Sequence, residues 1–370
     1  MLSQFFELLR AGLWGCVADP TLFSGNETDW LELHKQAKRQ TVIGIVFDGM
    51  QTLPEDLRPK RPLYMQWVAQ VVRIERANEK LNDTISILFP AYSRKNIFPI
   101  LLKGQGVAAM YPFPAHRQCG DIDIYVGKEG YKAANEEIVR LGGQRDGNKE
   151  TVKHLSFYFR DVHIENHRVA ATLINPSANR KLRKLIADYL PHNTDFFELN
   201  GYKIAIPPAT FNTIYLFVHA FNHLLKGGIG LRQVCDWARL VSVCQPEIDK
   251  AFVKKFIASA RLMPAAQSFA YIATKYIGLN EDVLPFELNG MKAERKGEIL
   301  LADIVEKGNF GHHATKQLSI PEKYWPRKWY SFCLNVKRAR ELYRFAREEA
   351  LWYPFFVARN EMAEQWKRLF

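Results

Sequence analysis

Cysteine is scarce and scattered in this 370-residue chain: five residues, at positions 16, 119, 235, 244 and 333, with no CxxC pair and an odd total. That excludes a disulfide-stapled scaffold and leads us to expect free thiols in a reducing, cytoplasmic setting. Long apolar runs are also missing. The best candidate, Thr213 to Leu225, is interrupted by His219, Asn222 and His223, so it reads as a buried helix and not an integral membrane span. The opening MLSQFFELLRAGLW lacks the cationic start and small-residue cleavage site of a signal peptide. There is no internal repeat, no low-complexity tract and no arginine-rich run.

What the chain does have is a full complement of apolar residues, 47%, enough for one large domain or two ordinary ones and too many for general disorder. Its net charge is +12, from 51 basic and 39 acidic residues, which suits an anionic partner such as a nucleotide, nucleic acid or acidic lipid. Part of that excess lies between Ile320 and Phe370, where 11 Lys and Arg face 6 Glu. Trp325, Trp329, Trp352 and Trp366 share the segment. Amphipathic helices with the aromatic face on the core and the cations in solvent account for this pattern. Peripheral contact with a membrane through this basic aromatic region stays open as the alternative.

Apolar spacing of three and four predicts helices over Trp30–Ala37, Val42–Met50 and Met65–Leu88, with Pro54, Pro59 and Pro62 marking a loop. The middle alternates: strand 97–103, helix 105–111, strand 121–126, helix 129–141. A hairpin follows, HLSFYF and VHIENHRV joined through Arg160-Asp161, and then a strand at 203–206 before Pro207-Pro208. From Ala209 the pattern is helical almost to the end. The fold class is therefore α+β, a sheet-containing core flanked by helices on both sides with no flexible linker.

The stretch from Leu101 to Val126, LLKGQGVAAMYPFPAHRQCGDIDIYV, carries the chemistry. Strand alternation points Asp121, Asp123 and Tyr125 one way and Ile122, Ile124 and Val126 the other, into a core. Paired carboxylates on a rigid strand are costly unless a cation neutralises them, which points to Mg²⁺ beside a phosphate-binding turn. A solvated strand face is the alternative. On the hairpin, His163, Glu165 and His167 share one face opposite Val162 and Ile164, and such a set is also compatible with Zn²⁺ or Fe²⁺. Further on, His219 and His223 lie one helical turn apart, as do Arg232 and Asp236. The zinc-protease motif fails here, because Ala220 and not Glu follows the first histidine.

These pieces resemble a family. The Lys-Gly turn, an Arg, and Gly-Asp-Ile-Asp-Ile on a strand are similar to the nucleotidyltransferase superfamily with a DNA polymerase β-like core. More narrowly, LLKGQGVAAMYP with R117QCGDIDIYV, VHIENH at 162–167 and LFVHAFNHLLKGGIGLRQVCDWARL at 216–240 resemble an uncharacterised bacterial nucleotidyltransferase-like group often met near surface-polysaccharide genes. GNFG at 308–311 adds to the likeness. The resemblance implies a nucleotidyltransferase core at 93–208, a small mixed sheet with helices, between helical regions at 1–92 and 209–370.

It further implies transfer of a nucleoside monophosphate from an NTP to a small-molecule, carbohydrate or protein acceptor, with two Mg²⁺ ions present once NTP is bound. Asp121, Asp123 and Glu165 would be the catalytic metal ligands, Glu165 replacing the Asp usual at that place. Lys103, Gly104, Gln105, Gly106 and Arg117 would bind the nucleotide, with Gln105 where the superfamily has a small residue. His163, His167, His219, His223, Arg232 and Asp236 would face the acceptor or support the site. Lys103 also reads as a solvated strand-end lysine, Arg117 as a salt bridge to Asp121 or Asp123, and Arg232–Asp236 as a helix ion pair beside core histidines. A catalytically inactive binding or scaffold protein is the competing function. Nucleic-acid binding lacks a supporting motif.

Overall fold

The computed structural model describes residues 1–24, 28–147, 151, 153–190, 192–308 and 324–369. Four helices open the chain: α1 (Leu2–Trp14), α2 (Trp30–Arg39), α3 (Ile43–Gln51) and α4 (Arg61–Ser93). The α+β segment follows with β1 (Ile100–Leu101), α5 (Gln105–Ala108), β2 (Ile122–Tyr125), α6 (Gly127–Arg140) and β3 (Gln144–Arg145). It continues through β4 (His154–Phe159), β5 (Val162–His167), α7 (Pro176–Tyr189), β6 (Asp195–Leu199) and β7 (Tyr202–Ile206). Seven further helices complete the described chain: α8 (Ala209–Lys226), α9 (Leu231–Val243), α10 (Lys250–Ser259), α11 (Met263–Lys275), α12 (Gly290–Lys307), α13 (Tyr324–Tyr343) and α14 (Arg347–Leu369). The molecule is a mixed α+β protein, mainly helical with small sheets.

The larger sheet has the order β1-β2-β5-β4-β3, and only the β2–β5 pair is parallel. Chain direction explains the mixture. The two-residue Arg160-Asp161 turn, with φ of 54° and 56°, folds β4 directly onto β5. The route from β2 to β5 instead passes through α6, a crossover long enough for parallel pairing. A separate hairpin pairs β6 with β7 around Asn200-Gly201.

Several strands differ from the sequence-based spans. Residues 97–103 form a strand only at Ile100–Leu101, with the Leu102 amide still donating to the Asp123 carbonyl at 3.0 Å; the helix at 105–111 is a single turn, and Asp121 lies just before β2. The chain turns away at Gly104 (φ 63°), which ends β1 early. Strand β6 and helix α7 carry no counterpart in the sequence reading, although Asn-Gly between Leu199 and Tyr202 is a strong hairpin signal. GNFG at 308–311 lies, beyond Gly308, outside the described residues.

Apolar side chains form two cores. One packs the inner face of the sheet (Ile122, Ile124, Phe157, Ile164) against α4 and α6 through Leu88, Tyr92 and Ile138. The other is helical and joins the N-terminal helices to those after residue 209: Phe5, Leu9, Val46 and Trp67 belong with Phe217, Trp237 and Phe269. Among the described residues no helix is long and apolar enough to cross a membrane. The aromatic C-terminal helices depart from simple amphipathic packing: Trp329, Trp352 and Phe355 are exposed, while Leu342, Phe345 and Tyr353 supply the buried contacts.

Helices α1 and α3 touch backbone to backbone. A Cβ on Gly12 would lie 1.8 Å from the Ile45 carbonyl oxygen, and one on Gly49 2.0 Å from that of Leu8. Neither obstacle is a side chain able to rotate away, so a methyl group must part the helices. We expect Gly49→Ala to lower unfolding free energy by about 1–3 kcal/mol or more, measured by denaturant titration, without loss of helical circular dichroism.

Candidate functional site

The register of the central strands assembles the site. Parallel pairing sets Asp123 beside Glu165 and Tyr125 beside His167. Antiparallel pairing then sets His154 opposite His167, Ser156 opposite Glu165 and Tyr158 opposite His163. Because paired residues share a face, one side of the sheet carries Asp123, Glu165, His167 and His154, with Asp121 and His163 at its edge. The opposite side carries the apolar residues of the sheet core. This separation is what the alternating sequence requires.

Helix α8 covers the polar face with a stripe at four-residue spacing: Tyr215, His219 and His223. The Tyr215 and His219 rings lie 5.9 Å apart, and the two histidine Nε2 atoms 3.1 Å apart. Lys103 Nζ reaches into the same space, 2.8 Å from Asp123 Oδ2, 3.7 Å from Asp121 Oδ1 and 3.4 Å from His219 Nε2. On the other flank, His167 Nε2 bridges Asp123 Oδ1 at 2.9 Å and Glu165 Oε2 at 3.2 Å. His154 Nδ1 also approaches Glu165 Oε2, at 3.2 Å.

Electrostatics follow from these distances. Burial alone would raise the Glu165 carboxyl, but His167 and His154 hold it down to about 2. Asp123 is likewise kept below the usual carboxylate range, its burial overcome by Lys103 and His167. Burial opposes a charge on His167, yet Asp123 and Glu165 raise its pKa above 6.5. The opposite holds for His154, which burial and the neighbouring His167 push down to about 4. Burial and Lys103 likewise keep His219 neutral. Thus two cations, Lys103 and His167, sit among Asp121, Asp123 and Glu165.

The donor set suits a divalent cation. Donor atoms of Asp121, His163 and Glu165 lie within 4.8 Å of one another, and those of His154, Glu165 and His167 do the same. Carboxylate oxygens from Asp121, Asp123 and Glu165 favour a hard ion, whereas the histidines also suit a borderline one. His154 was absent from the sequence reading. Its signal was available, since a two-residue hairpin turn dictates which residue faces His167.

The glycine-containing turn lies beside the acids: a Cβ on Gly104 would be 3.7 Å from the Asp121 carbonyl oxygen. Gln105 is buried and donates to Asn78 Oδ1 at 3.4 Å. Gly106 packs against β7, where a Cβ would meet Ile206 Cγ2 at 2.8 Å. Arg117, expected to bind the nucleotide, does not present a free guanidinium. It is 3% exposed, and its Nε and Nη2 each donate to Asp236 at 2.7 Å. Nor is its partner Asp121 or Asp123.

Arg232 and Asp236, one turn apart on α9, both reach the loop before β2 and do not form the helix ion pair that is the alternative reading. Asp236 takes Arg117 and the Tyr111 hydroxyl (2.7 Å), and Arg232 donates to the Gln118 carbonyl. Asn78 on α4 donates to the Arg117 carbonyl at 2.9 Å. Together they hold the loop that delivers Asp121.

A family model described as "uncharacterised nucleotidyltransferase" matches residues 26–278, more than half of the chain. No curated protein and no solved structure matches it. The chain belongs to this nucleotidyltransferase family.

Two outcomes follow from the geometry. Asp236→Asn leaves the buried Arg117 guanidinium without its counter-charge, and we expect a loss of about 3–5 kcal/mol in denaturant unfolding. In metal-free protein, imidazole NMR should show His154 neutral down to about pH 4, with His167 still protonated above pH 6.5. Since the His167 pKa is raised by folding, its stabilisation is complete below the unfolded value and fades as pH rises through the folded one. The depressed Glu165 behaves oppositely: its share is present above 4.5 and fades as pH falls towards about 2.

Proposed function

We propose that this member of the uncharacterised nucleotidyltransferase family transfers a nucleoside monophosphate from an NTP to the hydroxyl of a small-molecule, carbohydrate or protein acceptor, with release of pyrophosphate. The observation that carries this reading is the convergence of Asp121, Asp123 and Glu165 on one sheet face beside the Gly104 turn. Asp121, Asp123 and Glu165 would hold divalent cations, with Mg²⁺ the expected metal and two ions expected once NTP is bound. When bound, such ions neutralise the triphosphate and align the attacking oxygen.

The chain's own groups supply the rest. Lys103 and the Gly104–Gly106 turn would receive the phosphates. Arg117 would serve the nucleotide indirectly, as the buried tie that orients the loop before Asp121. Asp123 or Glu165 would take the proton of the attacking hydroxyl. A protonated His167 suits a charge-balancing role better than that of a base. His219 and His223 on α8 would face the acceptor.

Each NTP should be titrated with and without Mg²⁺, and the shift in thermal unfolding read for wild type and for the Asp121→Asn/Asp123→Asn double variant. At a hundredfold excess over Kd, a bound nucleotide stabilises by about 2.7 kcal/mol. A metal-dependent shift, lost in the double variant, is expected and identifies the base. Equal shifts in both proteins would remove the carboxylates from the site.

A further inference from the structure

Each oxygen of Asp123 faces a cation. His167 holds Oδ1 at 2.9 Å and Lys103 holds Oδ2 at 2.8 Å, on a side chain only 2% exposed. The Lys103 ammonium reaches Asp121 as well, at 3.7 Å, so it spans the gap between the two aspartates. An ion bridging them would need that same gap, because metal–oxygen distances of about 2.0–2.1 Å leave no room for an ammonium between the same oxygens. Like charge adds to the steric conflict. Among the described residues nothing comparable blocks the Asp121 carboxylate on its outer side, where its side chain is 36% exposed.

Lys103 is also placed to move. It is followed directly by Gly104, whose φ of 63° turns the chain out of β1. Its long, flexible stem carries three rotatable N–H donors. Among the described residues, the other groups facing the ammonium are poor substitute partners: His219 is a single nitrogen at 3.4 Å, and Tyr215 is a buried phenol.

We propose that Lys103 is a tethered counter-ion, which occupies the gap between Asp121 and Asp123 in the metal-free protein and is displaced when a divalent cation enters. The inference rests on the nucleotidyl-transfer reading, and it gives Lys103 two successive partners. The carboxylates hold it in the resting protein; the triphosphate receives it after exchange. Metal entry and phosphate capture are thereby joined in one side chain. Without the metal, Lys103 stays on the acids and the nucleotide lacks that cation.

The test uses Mn²⁺ as the probe, without nucleotide, on the full chain. Its binding is measured by calorimetry or electron paramagnetic resonance for wild type, Lys103→Met and Lys103→Gln. Both variants should bind Mn²⁺ roughly tenfold tighter or more, a gain that lies between one charge contact screened by water and one near a protein surface. The glutamine variant decides the matter if the methionine variant does not fold. In parallel, acetylation of wild-type lysines is read by mass spectrometry. Lys103 labelling should rise on saturation with Mn²⁺, while Lys132, 89% exposed, stays constant.

Unchanged or weaker Mn²⁺ binding in the folded variants would overturn the proposal, as would Lys103 labelling indifferent to the metal or no Mn²⁺ binding by wild type. Exchange without any nucleotide-dependent stabilisation would keep the counter-ion and sink nucleotidyl transfer. Nucleotide binding without exchange would do the reverse.

Discussion

Three carboxylates on one face of paired strands impose the constraint on which the rest of this structure depends. Asp123 and Glu165 are register partners, and Asp121 is two residues away. Left alone, such neighbours would take up protons or push the strands apart. Instead Lys103 and His167 sit between them, and the buried carboxyls of Asp123 and Glu165 are held below the usual carboxylate range. The same contacts occupy the carboxylate oxygens, so any other cation has to compete with Lys103 and His167 for them.

That charged face is roofed by a helix from the other core. Tyr215 and His219 on α8 sit over it, while Phe217 and Phe221 of the same helix pack into the helical cluster. A helix with both a polar stripe and an apolar one belongs to two environments at once. Helix α9 extends the connection. Through Asp236 and Arg232 it grips the loop leading to Asp121. A buried Arg–Asp pair adds little net stability by itself, yet breaking one side of it is expensive, which makes it a strong geometric tie. Gly44 reinforces the same loop, since a Cβ there would lie 2.2 Å from the His116 carbonyl oxygen.

Much of this was legible in the sequence where the signal is local. The alternation in DIDIYV separates acids from core residues in the strand as in the structure, and Arg160-Asp161 marks the hairpin that carries Glu165. The major helices before and after the sheet follow from apolar spacing of three and four. Harder to see were elements whose pairing depends on distant chain. Strand β1 is short because Gly104 turns the backbone away, and β6 exists because Asn200-Gly201 folds it onto β7. The exposed Trp329 and Trp352 show that aromatic spacing on a helix does not say which face finds a core.

Residue type and spacing therefore determined the chemical inventory: paired strand aspartates, a glycine turn, a histidine-bearing helix and a surplus of cations. They also determined which strand face would be polar, because alternation is a property of the backbone itself. Partnership was decided by the tertiary fold. Arg117 has the chemistry of a phosphate clamp, but packing brings Asp236 to it from 119 residues away and closes its fork. Lys103 gains the aspartates, and His154 gains Glu165, only when β1, β2, β4 and β5 lie side by side. Side-chain charge is written in the chain; which opposite charge it meets depends on contacts that exist only once the two cores have closed.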